Sequence, residues 1–187
     1  SFRSEKFNEN FHSKAGAYYE TKNKFINPSR LKRFQNKSIN VLDICFGIGY
    51  NSALLFENLK IELSTLNWYG LEIDKRPLNY ALTDKKFNNL WSPKVNEILN
   101  SLNSKGLYKN KNFDCKLMIG DARKEILNLP KELNFDLIFL DGFSPQKCPE
   151  IWSFEFLSQL KNKIKYEGYL ITYTSAAAVR KSLKNLG

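Results

Sequence analysis

Residues 134–152 read Asn-Phe-Asp-Leu-Ile-Phe-Leu-Asp-Gly-Phe-Ser-Pro-Gln-Lys-Cys-Pro-Glu-Ile-Trp, a short apolar run that breaks at an acid and a glycine. Asp136 to Leu140 has the length and apolar content of a strand buried on both faces, and Asp141-Gly142 turns it into a loop holding Phe143, Pro145, Pro149 and Trp152. In an open α/β sheet, ligands bind beyond the carboxyl ends of the strands, which is where Asp141 would stand. Asp-Gly after a strand is also an ordinary turn, and this stretch alone leaves both readings open.

Working outward, the same pattern recurs. Upstream, Val41 to Phe46 is a short buried strand, Gly47-Ile48-Gly49 a tight turn, and Asn51 to Leu59 a helix with Leu54, Leu55 and Leu59 inward. Such glycines let backbone N–H groups approach a ligand at the positive end of the helix, as nucleotide-like cofactors require. Trp68 to Asp74 supplies a second strand and Lys116 to Ile119 a third, ending in Gly120-Asp121-Ala122. Between them lies an insertion, residues 75–114, with a helix started by Pro77, an amphipathic helix marked by Val95, Ile98, Leu99 and Leu102, and a polar loop from Asn103 to Asp114. Downstream, Phe154, Leu157 and Leu160 return a helix to the sheet, Gly168 closes the connection, Tyr169 to Tyr173 is a fifth strand, and Ser175 opens a helix over 176–186. The expectation is an α/β fold with helices on both faces of a parallel sheet in the order 3-2-1-4-5.

Glu72, Asp121 and Asp141 fall at three successive strand ends, with Asp43 inside the first motif. Any one could cap a helix; four in register with a glycine turn point to a ligand site. Glu72 or Asp74 would take the hydroxyls of a ribose, and Asp121 an adenine amino group. A dinucleotide fingerprint, G-x-G-x-x-G, would want glycine where Ser52 stands; Asp43-x-Cys45-x-Gly47-x-Gly49 is nearer the E/D-x-G-x-G-x-G of S-adenosylmethionine (SAM) enzymes, with Cys45 in place of the first glycine.

At 187 residues, 42% hydrophobic and 14% aromatic, the chain can bury one sizeable core. It lacks an apolar run of about eighteen residues and an apolar signal region at its start, so a cytoplasmic protein away from membranes is expected. Three scattered cysteines without C-x-x-C suggest buried thiols, with neither disulfide framework nor metal site. A single histidine, His12, leaves nucleophile–histidine pairs out unless His12 itself serves as base. The net charge of +10 is uneven: residues 1–40 carry nine Lys/Arg against three acids, and residues 161–187 six against one. Basic ends on a near-neutral body suggest contact with phosphates. Residues 1–40 read as a basic, aromatic leader lying over the domain formed by 41–187; its aromatics interleaved with lysines can stack bases or act as an apolar strap.

Residues 139–152 resemble the L-D-G-F-x-P-x-K-x-P-x-[IM]-W signature of MnmC-like tRNA methyltransferases. Phe46-Gly47-Ile48-Gly49-Tyr50-Asn51 is similar to that family's F-G-T-G-x-N, and residues 172–180 to its T-[FY]-T-x-A-x-x-V-R, so the likeness spans nearly the whole chain. It departs at Cys45 and at Ile48, which replaces Thr. The resemblance implies a class I SAM-dependent, Rossmann-like fold that methylates the primary amine of 5-aminomethyl-(2-thio)uridine at the tRNA wobble position, in a standalone form without the fused oxidase domain, so that separate enzymes supply the aminomethyl group. That class usually adds an antiparallel pair after the fifth strand; those strands are missing, so the chain is expected to stop short of its natural end.

On this reading SAM is held by Asp43, Gly47, Gly49, Asn51, Glu72, Asp121, Ala122 and Asp141, with Asp141 and Phe143 catalytic. For tRNA the candidates are Lys14, Lys22, Lys24, Arg30, Lys32, Arg33, Lys147, Trp152 and Arg180. Methyl transfer to an amine needs alignment and a free lone pair rather than a covalent nucleophile. Two other readings remain: a spermidine-synthase-like aminopropyltransferase, which would want an acidic polyamine pocket, and a non-catalytic RNA-binding module on the same fold.

Overall fold

The computed structural model describes residues 3–4, 8–10, 16–59 and 65–187; Lys14 and His12 lie outside the described residues. A two-residue antiparallel pairing, β1 (Arg3–Ser4) with β2 (Glu9–Asn10), precedes α1 (Ala17–Thr21), which runs through a π-helical turn over Lys22–Ile26 into α2 (Asn27–Ser29). Arg30, in the left-handed region at φ 49°, breaks this helix and a 3-10 turn over Leu31–Phe34 leads into the sheet. The aromatic spacing of the leader, which shows no clean period in sequence, is thus helical, and Phe25, Ile26 and Phe34 are its buried face.

Then follow β3 (Ser38–Ile44), α3 (Tyr50–Asn58), β4 (Thr65–Glu72), α4 (Arg76–Thr83), α5 (Lys85–Asn88), α6 (Pro93–Lys105), β5 (Leu107–Lys109), β6 (Phe113–Ile119), α7 (Ala122–Glu125), β7 (Phe135–Leu140), α8 (Phe154–Lys161), β8 (Ile164–Thr172) and α9 (Ala177–Asn185). The sheet order is β5-β6-β4-β3-β7-β8, parallel throughout except for β5. The five parallel strands therefore run 3-2-1-4-5, as the sequence predicts.

Two details differ from the sequence reading. The polar loop expected over Asn103 to Asp114 contains β5: Gly106 closes α6 at φ 71°, and Leu107–Lys109 pairs antiparallel to β6. A three-residue strand is too short to carry an alternation of its own. Gly168, expected to close the connection before the fifth strand, lies inside β8. There the pairing with β7 shifts register and Glu167 takes φ 61°. A Cβ on Gly168 would come within 2.9 Å of Phe135 O and Lys165 O, so the glycine serves a close backbone approach at the irregularity.

The pleat divides the core. Val41, Trp68, Leu137 and Phe139 face α3, α4, α6 and the leader, where Phe25 meets Phe139 edge to face with ring centroids 5.7 Å apart. Leu42, Ile44, Leu71, Ile138 and Leu140 face α8, α9 and the Ile126 turn. Strands buried on both faces are what continuous apolar runs such as Phe135–Leu140 require.

Candidate active site

The chain leaves β3 for β4 and β6 on one side and returns to β7 and β8 on the other, so the topological switch point lies between β3 and β7. The glycine turn ends β3 and Asp141 ends β7, one on each side of the crevice where such sheets bind ligands. Pleat parity does the rest. Asp43 shares the face of Val41, Glu72 the parity of Trp68, and Asp141 that of Leu137 and Phe139, so all three acids fall on the α3 side.

Each is held differently. Asp141 Oδ2 accepts a hydrogen bond from Asn51 Nδ2 at 2.7 Å, while its N–H donates to Ile44 O at 3.2 Å. Glu72 is buried, its Oε2 accepting the Gly47 N–H at 2.7 Å and its Oε1 the Asp74 N–H at 2.9 Å. Asp43 is fully buried and accepts from Ser52 Oγ at 2.5 Å, and that hydroxyl accepts from Trp68 Nε1 at 2.8 Å. This Trp68–Ser52–Asp43 chain ties β4 to α3 and β3 beneath the turn. A Cβ at Gly70 would lie 2.3 Å from the Trp68 ring, so glycine there makes room for the indole.

The turn depends on positive φ angles: Gly47 at 58°, Gly49 at 93° and, at the position of the missing first glycine, Cys45 at 63°. The backbone conformation of a glycine-rich turn is kept although one glycine is a cysteine. Gly49 also has no space for a side chain, since its Cβ would sit 2.7 Å from Phe46 Cζ. Behind the turn, Glu72 anchors the Gly47 amide, which fixes the loop that a ligand would meet.

Burial raises the carboxyl values here. Asp43 is pushed up to about 8, chiefly by desolvation and opposed by the Ser52 hydrogen bond, with the Asp141 and Glu72 charges adding to the rise. Asp141 is raised to about 6, again by desolvation, with the Asn51 hydrogen bond and the Lys24 charge pulling down and Glu20 pushing up. Glu72 also rises through desolvation, against its backbone hydrogen bonds. Asp43 is thus a neutral acid near pH 7 and Asp141 a carboxylate that is mostly ionised.

The loop after Asp141 is fixed from two sides. Trp152, in a 3-10 turn over Pro149–Trp152, donates its Nε1–H to Phe143 O at 2.8 Å and packs edge to face on Tyr173 at 6.2 Å. Gly142 lies under Ile151, where a Cβ would be 1.9 Å from Cδ1. From the leader, Glu9 Oε2 accepts from Ser144 Oγ at 2.9 Å and from its N–H at 3.3 Å, and Lys24 lies 5.9 Å from the centre of the Tyr173 ring. Ile73, just beyond β4, and Ile119, at the end of β6, are apolar side chains that are each 46% exposed.

A family model described as S-adenosyl-L-methionine-dependent methyltransferase matches residues 85–187, more than half of the chain. The chain belongs to this methyltransferase family. An uncharacterized protein of Methanocaldococcus jannaschii is 33% identical over the whole chain, which covers 51% of that relative. The tRNA 5-methylaminomethyl-2-thiouridine biosynthesis bifunctional protein MnmC of Campylobacter hominis is 30% identical over 97% of this chain and 28% of its own length. The crystal structure of MNMC2 from Aquifex aeolicus superposes with a TM-score of 0.82 at 34% identity, over 97% of this chain and 58% of that one. The chain spans about half the length of the first of these relatives and under a third of the second. The methyltransferase is MnmC-like, and its sheet is that of the class I SAM-dependent enzymes.

In this methyltransferase the residues singled out from sequence divide by placement. Asp43, Gly47, Gly49, Asn51, Glu72 and Asp141 come together around the turn. Asp121 follows β6 and caps α7, accepting from the Arg123 N–H at 3.0 Å and pairing with its guanidinium at 2.6 Å, which holds its carboxyl below the usual range; Ala122 beside it is buried. Asp74 pairs with Arg76 at 2.6 Å, so Glu72 rather than Asp74 is the acid on the turn. Phe143 is half-buried in the loop after Asp141. Lys22, Lys24, Arg30, Lys32, Lys147 and Arg180 are exposed. Arg33 is not: its guanidinium stacks on Tyr169 at 3.8 Å and donates to Glu167 O at 3.3 Å. Trp152 is buried and acts on the loop rather than at the surface. Among the described residues no cluster of His, Cys, Asp and Glu is arranged for a metal ion, and no helix is long and apolar enough to cross a membrane.

Sequence reasoning missed Ser52, Trp68, Ile73 and Ile119. Parity along β4 could have found Trp68 and Glu72 on one face; the Ser52 contact is tertiary and leaves no pattern in the chain.

Proposed function

We propose that this protein transfers a methyl group from SAM to the aminomethyl group of 5-aminomethyl-(2-thio)uridine at the tRNA wobble position, giving the 5-methylaminomethyl nucleoside. The observation that carries the reading is Asp141, mostly ionised at the switch point beside the glycine turn, in a chain whose MnmC relatives align with nearly all of it. Separate enzymes would supply the aminomethyl group, and the reaction belongs in the cytoplasm with tRNA.

The residues fit the cofactor. Gly47 and Gly49 shape the turn that would meet its methionine part, the Glu72 carboxylate would accept from ribose hydroxyls, and Ile73, Ile119, Asp121 and Ala122, at and just after the ends of β4 and β6, would border adenine. SAM, when bound, supplies an electrophilic methyl group on sulfur. Asp141 accepts an N–H of the substrate amine, which turns the nitrogen lone pair away from the carboxylate, and its charge stabilises the positive charge that grows on nitrogen. It orients more than it deprotonates. An alkylamine titrates near about 10, and freeing its lone pair near neutrality costs about 4 kcal/mol unless the site desolvates it; Phe143 and Pro145, in the loop after Asp141, would exclude water. The exposed cations of the leader, Lys147 and Arg180 would meet tRNA phosphates.

The test is a pair of substrates: tRNA bearing 5-aminomethyl-uridine and the same tRNA with plain uridine at that position. Methylation of the first alone supports the reading; methylation of both, or of neither while SAM binds, rejects the amine as acceptor. An intact Asp141 and glycine turn favour this reading over a non-catalytic RNA-binding module.

A further inference from the structure

Asn51 stands in the second position of α3, directly after the glycine turn, yet its side chain reaches across the switch point to β7. Its amide nitrogen lies 2.7 Å from Asp141 Oδ2. A carboxylate only accepts, so this contact fixes which end of the amide faces Asp141. The opposite end, Oδ1, is buried with no hydrogen-bond partner among the described residues. A buried acceptor without a partner is a cost to folding, and a leucine, branched alike though larger, would not carry it. The amide is therefore suited to something other than stability.

We propose that Asn51 is the positioning residue for Asp141: its single hydrogen bond occupies one carboxylate oxygen and presents the other to the substrate amine, so that the element built on the cofactor turn also sets the amine acceptor. This rests on the amine-methylation reading above. It also gives the Asn51 side chain a duty distinct from holding SAM. Asp141 is faced by Lys24 and Glu20 from the leader, by Asp43 of β3 and Cys45 of the turn, and by Tyr173 beyond β8. Among these, Lys24 is the other group that favours the ionised form, and it is exposed, so its effect is screened by solvent while that of Asn51 is not. Removing the amide donor should let burial dominate, and the carboxyl then stays protonated to higher pH.

The experiment needs no substrate for its first part. Asp141 is titrated by carboxyl 13C NMR in the wild type, in Asn51→Leu and in Asn51→Asp. The expected result is a midpoint that rises by about one pH unit or more in the leucine variant, and a coupled, two-step titration of the carboxylate pair in the aspartate variant. Calorimetry should give a SAM Kd within about threefold of wild type, with kcat on the aminomethyl-uridine tRNA down about 10- to 100-fold, since a small misplacement of a reacting group costs up to about 100-fold. An Asp141 midpoint unmoved in both variants overturns the inference, as does a loss of SAM affinity as large as the loss of turnover. If wild type methylates no tRNA while the Asp141 midpoint still responds to Asn51, the substrate reading fails and the coupling stands.

Discussion

Asp141 carries two features in one side chain: a carboxyl value raised by burial to about 6 and a place beside the glycine turn. The amine contributes one proton to the pH dependence at all pH values below its own midpoint, and Asp141 adds a second only where it protonates. Log kcat/KM should therefore rise with slope one near neutrality and steepen by one unit below about pH 6. Asp141→Asn should keep SAM binding, lower turnover by about two orders of magnitude, as loss of one charge-stabilising group does, and abolish the steeper limb. Asp43 offers a test on stability instead. Its folded value of about 8 lies above its unfolded value of about 4, so the native state holds the proton longer, and stability is lost as pH rises through that window. Asp43→Asn stays neutral throughout, so its thermal midpoint should gain on the wild type from about pH 5 to about pH 8; a constant difference would show that Asp43 is ionised in the fold. At Cys45 the backbone, not the charge, is decisive. Left-handed φ costs a residue with a Cβ about 1–2 kcal/mol, and glycine gives back about 0.5–1 kcal/mol in unfolded-state entropy. Cys45→Gly should thus unfold in urea within about 1 kcal/mol of wild type, whereas Cys45→Val, branched at Cβ, should lose about 2 kcal/mol or more.

The same turn sets what can be changed at the level of the element. At Gly49 both the 93° φ and the buried Phe46 ring, itself edge to face on Trp68 at 5.5 Å, oppose a methyl group. Gly49→Ala should cost about 2 kcal/mol in denaturant unfolding and weaken SAM binding in calorimetry, since it displaces the turn that borders the proposed cofactor site. Much of this was legible in the chain. Apolar runs bounded by acids and glycines placed β3, β4, β6 and β7 because strands buried on both faces have no other composition. The acids at their ends are local features of the same runs. β5 was not legible, because three residues on the edge are held by pairing with β6 rather than by their own pattern. Nor was Gly168, whose need for glycine comes from the backbone of Phe135 across the sheet. Within the site, Asp141, Glu72 and the glycines could be read, but the Asn51–Asp141 and Trp68–Ser52–Asp43 contacts join residues distant in sequence, and Asp121 turned out to be engaged by its neighbour Arg123.

At the scale of the molecule, the basic leader is part of the site's wall. Phe25 packs on Phe139, Glu9 accepts from Ser144, and Lys24 reaches the field of Asp141. Its helical turn leaves Lys22, Arg30 and Lys32 exposed on the chain that borders the crevice. If they meet phosphates, replacing all three by alanine should reduce the slope of log K against log salt for tRNA by about two to three, each contact releasing roughly one counterion; an unchanged slope would put the tRNA surface elsewhere. Incubating the protein with SAM and tRNA carrying 5-aminomethyl-uridine, digesting the tRNA and weighing the nucleosides by mass spectrometry tests whether this fold methylates a wobble aminomethyl group. A wobble uridine heavier by one methyl on its side-chain nitrogen is the predicted result, and an unmodified aminomethyl-uridine alongside bound SAM would contradict it.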